Sequence, residues 1–367
     1  MAALRVPLYP IEKAAAPFKV AVTGATGYVA GPLIQRLLAG GHTVQATVRN
    51  PEDTSKTAHL TALPGAADRL KLFKADLMDA SSFDDAIIGC KYVFHVASPF
   101  SLNVAPSQVQ EKLVGPAVAG VESVLGAVSR VGGETVERVV MTSSIVAIIG
   151  DNWENGPDHV FTEADWNTSS SPTFMPYPYS KTMAEKKAWE IYSNGKDTNK
   201  WTLCTINPGF VLGPPLSLVN PGESVTFCKD MVAGKFKAAL PRAFIGVVDV
   251  DDVAAAHVLA ALTPAASEQR YLCVSESTDF VTLVKGAENE FSPPRKFAGG
   301  FVPPKWLLWV LCNVLRVMPY DTISASVDKP LKIDNSKIQK ELGMGFIPGS
   351  KTLADMARRV EKLQQAV

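Results

Sequence analysis

The sequence predicts an α/β protein built on a doubly wound parallel sheet, with a smaller lobe toward the C-terminus. Short, nearly continuous apolar segments alternate with helix-like segments between residue 18 and about residue 206. Strands that helices cover on both faces have this apolar character, and repeated strand–helix units form open parallel sheets. After Pro208 the alternation stops at a stretch rich in proline and glycine, which indicates a second lobe.

The individual elements can be read in chain order. The strand-like segments are FKVAVT, TVQATV, RLKLFKA, KYVFHVAS, ERVVMTSS and TLCTINP. The segments between them have apolar residues at helical spacing and read LIQRLLAG, SSFDDAIIGC, PSQVQEKLVGPAVAGVESVLGAVSRV and YSKTMAEKKAWEIYSNG. Ligands of such sheets bind beyond the carboxyl ends of the strands, so functional residues are expected there.

The breaks in this rhythm predict the domain boundaries. The expected units are an N-terminal arm at 1–17, a first lobe at 18–209 with 246–275 returning to it, a smaller lobe at 210–245 and 276–345, and a C-terminal helix at 346–367.

Composition excludes several classes of protein. Hydrophobic residues make up 47% of the 367, and basic and acidic residues are equal at 36 each, which describes a soluble globular chain. No net charge favours nucleic acid or an anionic surface. The five cysteines are far apart, a spacing that fits neither a disulfide framework nor a metal site, so we expect no metal and a reducing, cytoplasmic location.

Two apolar segments need separate interpretation. The N-terminal MAALRVPLYPIEKAAAP lacks a continuous apolar region followed by a cleavage site, so it predicts an arm rather than a signal peptide. The stretch at 305–318 is shorter than the roughly 20 residues of a spanning helix. It predicts a buried amphipathic helix, with membrane docking as the alternative, and no membrane span.

A glycine turn follows the first strand, where Gly24, Gly27 and Ala30 form a GxxGxxA pattern. Glycine permits a tight turn and a close approach of backbones, and the amides at the start of the next helix attract a pyrophosphate. Because strand, turn and helix occur in this order, the pattern predicts a Rossmann-type dinucleotide site. The expected contacts are Gly24, Thr26, Gly27, Tyr28 and Val29.

An arginine ends the second strand, where a site for NAD usually has an acidic residue. Arg49 could instead bind the 2′-phosphate of NADP with its planar guanidinium, and Lys56 could assist. NADP is therefore the predicted cofactor. Asp76 and Leu77, after the third strand, would flank the adenine; Asp76 could alternatively cap the next helix.

Tyr177 and Lys181 are four residues apart in YPYSK, so on a helix they share one face. A phenol is a poor proton donor at neutral pH unless a cation stabilises its phenolate, and Lys181 could be that cation. Ser143 and Ser144 end the fifth strand, at the edge where the reactive ring of a cofactor would lie. The three motifs in this order predict an oxidoreductase site.

The chain resembles the extended short-chain dehydrogenases/reductases, and most of all their dihydroflavonol reductase-like branch. That branch includes cinnamoyl-CoA reductases, anthocyanidin reductases and fungal methylglyoxal or aldehyde reductases. The resemblance runs from about residue 18 to 360 through VTGATGYVA, ATVRNPEDTSK, LKLFKADLMD, GCKYVFHVASPF, VERVVMTSS, YPYSKTMAEKKAWE, INPGFVLGPP and VDVDDVAAAH.

The resemblance implies roles for single residues. Tyr177 would donate the proton, Lys181 would tune it and bind the nicotinamide ribose, and Ser144 would hydrogen-bond the substrate oxygen. Further expected cofactor contacts are Ala97, Ser98, Pro99, Thr142, Ser143, Pro208, Gly209 and Val211. Four apolar residues would line the substrate cleft or else pack in the core: Phe100, Ile149, Met175 and Phe210. Ile149 stands where plant dihydroflavonol reductases have an asparagine.

The predicted function is the NADPH-dependent reduction of an aldehyde or ketone by a Rossmann-type domain with a smaller C-terminal substrate-binding lobe. An NAD-dependent hydroxysteroid dehydrogenase/isomerase or a sugar-nucleotide epimerase is the first alternative. A non-catalytic NADP-sensing protein is the second. The sequence leaves open the carbonyl substrate and whether the protein is a monomer or a homodimer.

Overall fold

The structure is a computed structural model that describes residues 4–98, 104, 106–219, 221–314 and 324–365. The strands, in chain order, are β1 Lys19–Val22, β2 Thr43–Val48, β3 Leu70–Lys74, β4 Tyr92–His95, β5 Arg138–Thr142, β6 Thr202–Pro208, β7 Phe210–Leu212, β8 Phe244–Asp249, β9 Arg270–Cys273 and β10 Glu276–Asp279. A seven-stranded sheet has the order β3-β2-β1-β4-β5-β6-β9, and all of its pairs are parallel. This confirms the predicted doubly wound sheet, and the six strand-like segments of the sequence are β1 to β6.

Helices cover both faces of this sheet. Their bounds are α1 Pro10–Ala14, α2 Ala30–Ala39, α3 Thr54–Thr61, α4 Ala66–Arg69, α5 Asp84–Ile87, α6 Gly115–Val131, α7 Pro176–Asn194, α8 Glu223–Val232, α9 Val250–Leu262, α10 Phe280–Asn289, α11 Lys305–Asn313, α12 Ser336–Leu342 and α13 Gly349–Gln365. One buried cluster lies between the sheet and helices α2 and α9. A second cluster, on the other face, includes side chains of α5, α6 and α7.

A second, three-stranded sheet has the order β10-β8-β7 and belongs to the smaller lobe. The two sheets meet at Gly209, where a Cβ atom would lie only 2.4 Å from the carbonyl oxygen of Gly246. Glycine is therefore required for the chain to pass from β6 into β7 against the backbone of β8.

Two of the predicted lobe boundaries are shifted. The return to the large sheet was expected at 246, but β8 pairs with β7 and β10, so the return begins with α9 at Val250. Helix α12 was expected in the smaller lobe. Its Ile338 and Leu342 instead pack in the cluster of the large sheet, because α12 contacts β9 and α9.

The apolar segment at 305–318 is only partly buried, which corrects the prediction. Helix α11 buries Leu308 and Cys312, whereas Trp306 is 68% and Trp309 49% exposed. Residues 315–318 lie outside the described residues. Among the residues that the structure describes, one helical stretch, Gln110–Val131, is long and apolar enough to cross a membrane, but 56% of its apolar window is buried inside the protein.

Candidate active site

The glycine turn joins β1 to α2 as the sequence predicts. Gly24 has φ +68°, and a Cβ atom there would lie 2.8 Å from Cα of Ala97, which follows β4. The turn therefore packs directly against the end of β4, and a larger residue would separate the two. Gly27 is exposed beside the start of α2, so its backbone is open to a ligand.

Basic side chains lie beyond the end of β2. Arg49 is exposed directly after this strand. Lys56 on α3 pairs with Asp53 at 2.9 Å, which engages the charge that was expected to assist Arg49. His59, one turn further along α3, was not singled out from the sequence; it lines one pocket with the glycine turn, including Thr26, Gly27 and Tyr28. The sequence could have indicated His59, because it lies three residues after Lys56 and so shares a helix face with it.

Asp76 and Leu77 follow β3 at the same edge of the sheet. The carboxylate of Asp76 accepts a hydrogen bond from the amide of Met78 at 2.9 Å within a turn. The next helix, α5, begins only at Asp84, so the alternative that Asp76 caps it is wrong. Leu77 packs against Gly120 of α6, and its carbonyl accepts a hydrogen bond from Ser123 at 2.8 Å.

The lysine of the YxxxK pattern reaches the end of β4. The ammonium of Lys181 donates a hydrogen bond to Oγ of Ser98 at 2.8 Å and lies 5.8 Å from the ring centroid of Tyr177. A pocket lined by Lys181 and Ser98 also includes Thr142 and Ser143 at the end of β5. The fold thus brings together residues that are up to 83 positions apart in the chain.

Burial governs the ionisation of the tyrosine and the lysine. It raises the pKa of Tyr177, with a smaller contribution from the carboxylate of Glu223, and it lowers the pKa of Lys181 to about 8. The prediction that the neighbouring ammonium lowers the pKa of the phenol is therefore not met in the protein alone. The desolvation of the phenolate is the larger effect.

The two serines at the end of β5 have different surroundings. Ser143 is buried, and its hydroxyl donates to the carboxylate of Glu185 on α7. Ser144 caps the short 3₁₀ turn Ile145–Ala147, since its Oγ accepts a hydrogen bond from the amide of Val146 at 3.3 Å. The hydroxyl proton of Ser144 is not used in that bond.

A buried histidine sets the direction of a hydrogen bond at Thr142. His257 Nδ1 lies 2.7 Å from the carbonyl oxygen of Val253, so this nitrogen carries the proton. Burial lowers the pKa of His257 to about 4, which keeps the ring neutral. The Nε2 atom of His257 therefore accepts from the Thr142 hydroxyl at 2.6 Å, and Thr142 presents only lone pairs to a ligand.

The remaining expected cofactor contacts are distributed between the two lobes. Tyr28 donates a hydrogen bond to the carbonyl of Gly213 at 2.6 Å. Val29 precedes α2 and packs against the main cluster, as does Val211 of β7. Pro208 is buried at the end of β6. Pro99 lies outside the described residues, and so does Phe100, one of the four residues proposed for the substrate cleft.

The other three apolar residues pack inside the protein. Ile149 is buried in a cluster with Phe161 and Leu272, which is the core placement that the sequence left as its alternative. Phe210 packs edge-on against Phe227 at 5.8 Å in the smaller lobe. Met175 is buried at the N-terminus of α7 with φ 56°.

Comparison with known proteins places this site in a family. Residues 21–279 match the 3-beta hydroxysteroid dehydrogenase/isomerase family. The chain belongs to this family. The match confirms the prediction, made from the glycine turn, the serine pair and the YxxxK pattern, that the chain is an extended short-chain dehydrogenase/reductase.

Relatives of this family member include several reductases. Cinnamoyl-CoA reductase CAD2 of Medicago truncatula is 38% identical over 286 residues, which are 76% of this chain and 83% of that protein. Anthocyanidin reductase of Arabidopsis thaliana is 37% identical over 271 residues, covering 71% and 76%. The structure of yeast methylglyoxal/isovaleraldehyde reductase Gre2, complexed with NADPH, superposes with a TM-score of 0.78 at 26% identity, over 95% of this chain and 100% of that one.

Proposed function

We propose that the protein uses NADPH to reduce an aldehyde or ketone to the alcohol. The observation that carries the proposal is the meeting of Lys181, Ser98 and the Thr142–Ser143 strand end in one pocket, beside a glycine turn of dinucleotide-binding type. The reductase activities named for the three relatives described above support the same chemistry.

The residues present fit NADPH. At Gly24 a side chain would collide with Ala97, so the turn has the tight backbone that the first glycine of a dinucleotide-binding turn provides. Arg49 provides an exposed guanidinium for the 2′-phosphate. Lys181 and Thr142 provide, respectively, a donor and an acceptor at the nicotinamide end. NADPH supplies the hydride when it is bound.

The side chains have the protonation states that a reduction requires. Because burial raises the pKa of Tyr177, the phenol keeps its proton at neutral pH, and transfer of that proton to the carbonyl oxygen requires a cation that stabilises the phenolate. Ser144 can hydrogen-bond the same oxygen with the proton that its capping bond leaves available. At neutral pH Lys181 remains mostly protonated, and its ammonium can stabilise the phenolate after transfer.

The test is Tyr177→Phe, assayed by NADPH consumption against a panel of aliphatic, aromatic and CoA-linked carbonyls. Removing a general acid costs about 10²- to 10⁴-fold in rate, so we expect a loss in that range with NADPH affinity changed less than about threefold. Tyr179→Phe is the matched control, because Tyr179 packs in the same small cluster, and it should keep its activity. Wild-type turnover by Tyr177→Phe would contradict the proposal.

The name of the matching family points to one alternative function, that of an NAD-dependent hydroxysteroid dehydrogenase. Sterol oxidation with NAD⁺ is the activity that a hydroxysteroid dehydrogenase would show, so the same panel includes a 3-hydroxysteroid with NAD⁺. Oxidation of that sterol without reduction of any carbonyl by NADPH would replace the proposed function.

A further inference from the structure

Glu185 is a buried carboxylate on the catalytic helix that the proposed mechanism does not use. It lies one turn after Lys181 on α7 and is 0% exposed. Its two oxygens accept hydrogen bonds from five side chains: the hydroxyl of Ser143, Nδ2 of Asn207 at 2.6 Å, Nε of Arg270 at 2.7 Å, the hydroxyl of Thr205 at 3.2 Å and Nε1 of Trp189 at 3.3 Å. A buried charge with this many donors is held in one geometry.

These donors connect α7 with the strand ends of the site. Ser143 directly follows β5, and Asn207 is the last residue but one of β6. Asn207 also donates to the carbonyl oxygen of Ser144 at 3.1 Å. A chain of direct contacts therefore runs from Glu185 through Asn207 to the backbone of Ser144, the residue proposed to hold the substrate oxygen.

Arg270 of β9 balances the buried charge. Its guanidinium pairs with Glu185 and donates to the carbonyl oxygens of Glu163 and Asp165, at 2.6 and 2.7 Å. It also stacks on the ring of Trp166, 3.8 Å from the ring centroid. The segment from Glu163 to Trp166, which precedes α7 in the chain, is thus attached to the same network.

We propose that Glu185 is a positioning residue for carbonyl reduction. By tying α7 to the ends of β5 and β6, it sets the separation between the hydroxyl of Ser144 and the Tyr177–Lys181 pair. It does not contact the substrate, and the inference rests on the proposed function. A displacement of reacting groups by ~1 Å costs about 10²-fold in rate, so the network is expected to matter for turnover more than for binding.

The first test is Glu185→Gln. In Glu185 one carboxylate oxygen accepts from Nε of Arg270 and the other from Nδ2 of Asn207. A glutamine has one acceptor oxygen and one NH₂ group, so it cannot accept both hydrogen bonds in this arrangement. We expect kcat to fall about tenfold or more, with the Kd for NADPH changed less than about threefold. Glu12→Gln is the matched control, because Glu12 is equally buried and pairs with Arg36 on a helix end away from the cleft. It should lower the melting temperature and leave kcat unchanged.

A second variant covers the case in which Glu185→Gln does not fold. Asn207→Ala removes the link to Ser144 and keeps the Glu185–Arg270 pair, and it should lower kcat to a similar extent. All rates are measured well below the melting temperature of each variant. If the folded variants keep wild-type kcat while Tyr177→Phe is inactive, the positioning role is wrong and the reductase stands. If Tyr177→Phe is active, the proposed function itself fails.

Discussion

At the scale of single residues, the proposed function depends on side chains whose ionisation is controlled by their surroundings. Tyr177 and Lys181 share a helix face, and burial favours the neutral form of each by raising the pKa of Tyr177 and lowering the pKa of Lys181. Arg49 differs from this pair in being exposed, so its planar guanidinium is accessible to a phosphate. In the proposed function the buried pair takes part in the chemistry, and the exposed guanidinium is the group expected to select the cofactor.

The exposed arginine gives a prediction on cofactor choice. Arg49→Asp should weaken NADPH binding about ten- to a hundredfold, since a charge-assisted hydrogen bond contributes about 1.5–3 kcal/mol, and should raise the preference for NADH. The measurement is the ratio of kcat/KM for the two cofactors.

Lys91→Asp is the control for this change. It alters the net charge equally at the amino end of β4, the opposite edge of the sheet, and should leave the cofactor ratio unchanged. An unaltered ratio in Arg49→Asp would mean that the phosphate binds elsewhere.

At the scale of elements, the unit that organises the site is β1, the glycine turn and α2. The strand is buried between β2 and β4, and the turn must pass close to Ala97 before the helix begins at Ala30. Both the left-handed φ of Gly24 and its contact with Ala97 restrict this position to glycine, the first through backbone conformation and the second through lack of space for a side chain. Substitution should therefore affect both stability and cofactor binding.

Gly24→Ala tests that restriction. An alanine in the left-handed region costs about 1–2 kcal/mol, and the 2.8 Å approach of its Cβ to Ala97 adds a clash, so we expect a loss of about 2 kcal/mol or more in unfolding free energy. NADPH binding should fall with it. Denaturant titration and NADPH fluorescence measure the two effects.

Gly133→Ala is the corresponding control, because a Cβ atom there meets nothing within 4 Å. Its stability and affinity should stay near wild type. Equal behaviour of the two alanine variants would show that the turn has room for a side chain.

At the scale of the whole molecule, the N-terminal arm joins the two lobes. Arg5 pairs with Asp249 at 2.9 Å and Asp251 at 3.2 Å at the start of α9, and with Asp355 of α13 at 3.0 Å. Asp249 is fully buried. Burial, together with the charge of Asp249, raises the pKa of Asp251 to about 6, and Arg5 opposes this rise. The arm is thus a structural part of the fold.

Arg5→Ala should destabilise the protein by about 3 kcal/mol, because it removes the cation that pairs with the buried carboxylate of Asp249. The folded pKa of Asp251 lies above its unfolded value, so the folded state binds more protons and stability falls as pH rises from about 4 to about 6. Arg5 opposes the rise in the pKa of Asp251, so without Arg5 this fall should extend to higher pH, and the loss should be larger at pH 8 than at pH 5. Thermal unfolding at both pH values measures it.

Lys351→Ala provides the comparison, since Lys351 also pairs with Asp355 but is exposed. A surface pair contributes about 0–1 kcal/mol, so this variant should be nearly neutral at both pH values. An equally small effect of Arg5→Ala would mean that the arm does not hold the lobes together.

Local pattern was sufficient to predict much of the molecule. The six apolar segments became β1 to β6 because a strand covered on both faces must be apolar throughout. The glycine turn and the place of Arg49 at the end of β2 follow from chain order within one strand–helix–strand unit. These features depend on neighbours in the sequence, so they could be read without the fold.

Other features depend on contacts between distant segments. Glu185 follows Lys181 by four residues, but only the fold shows that Ser143, Asn207 and Arg270 surround it. Ile149 packs in the core, and the tryptophans of α11 face outward, because burial depends on which other element covers a given face. The sequence by itself determined the sheet, the turn and the candidate chemical groups. The tertiary structure alone decided the electrostatic surroundings of those groups, because desolvation and ion pairing arise from residues far apart in the chain.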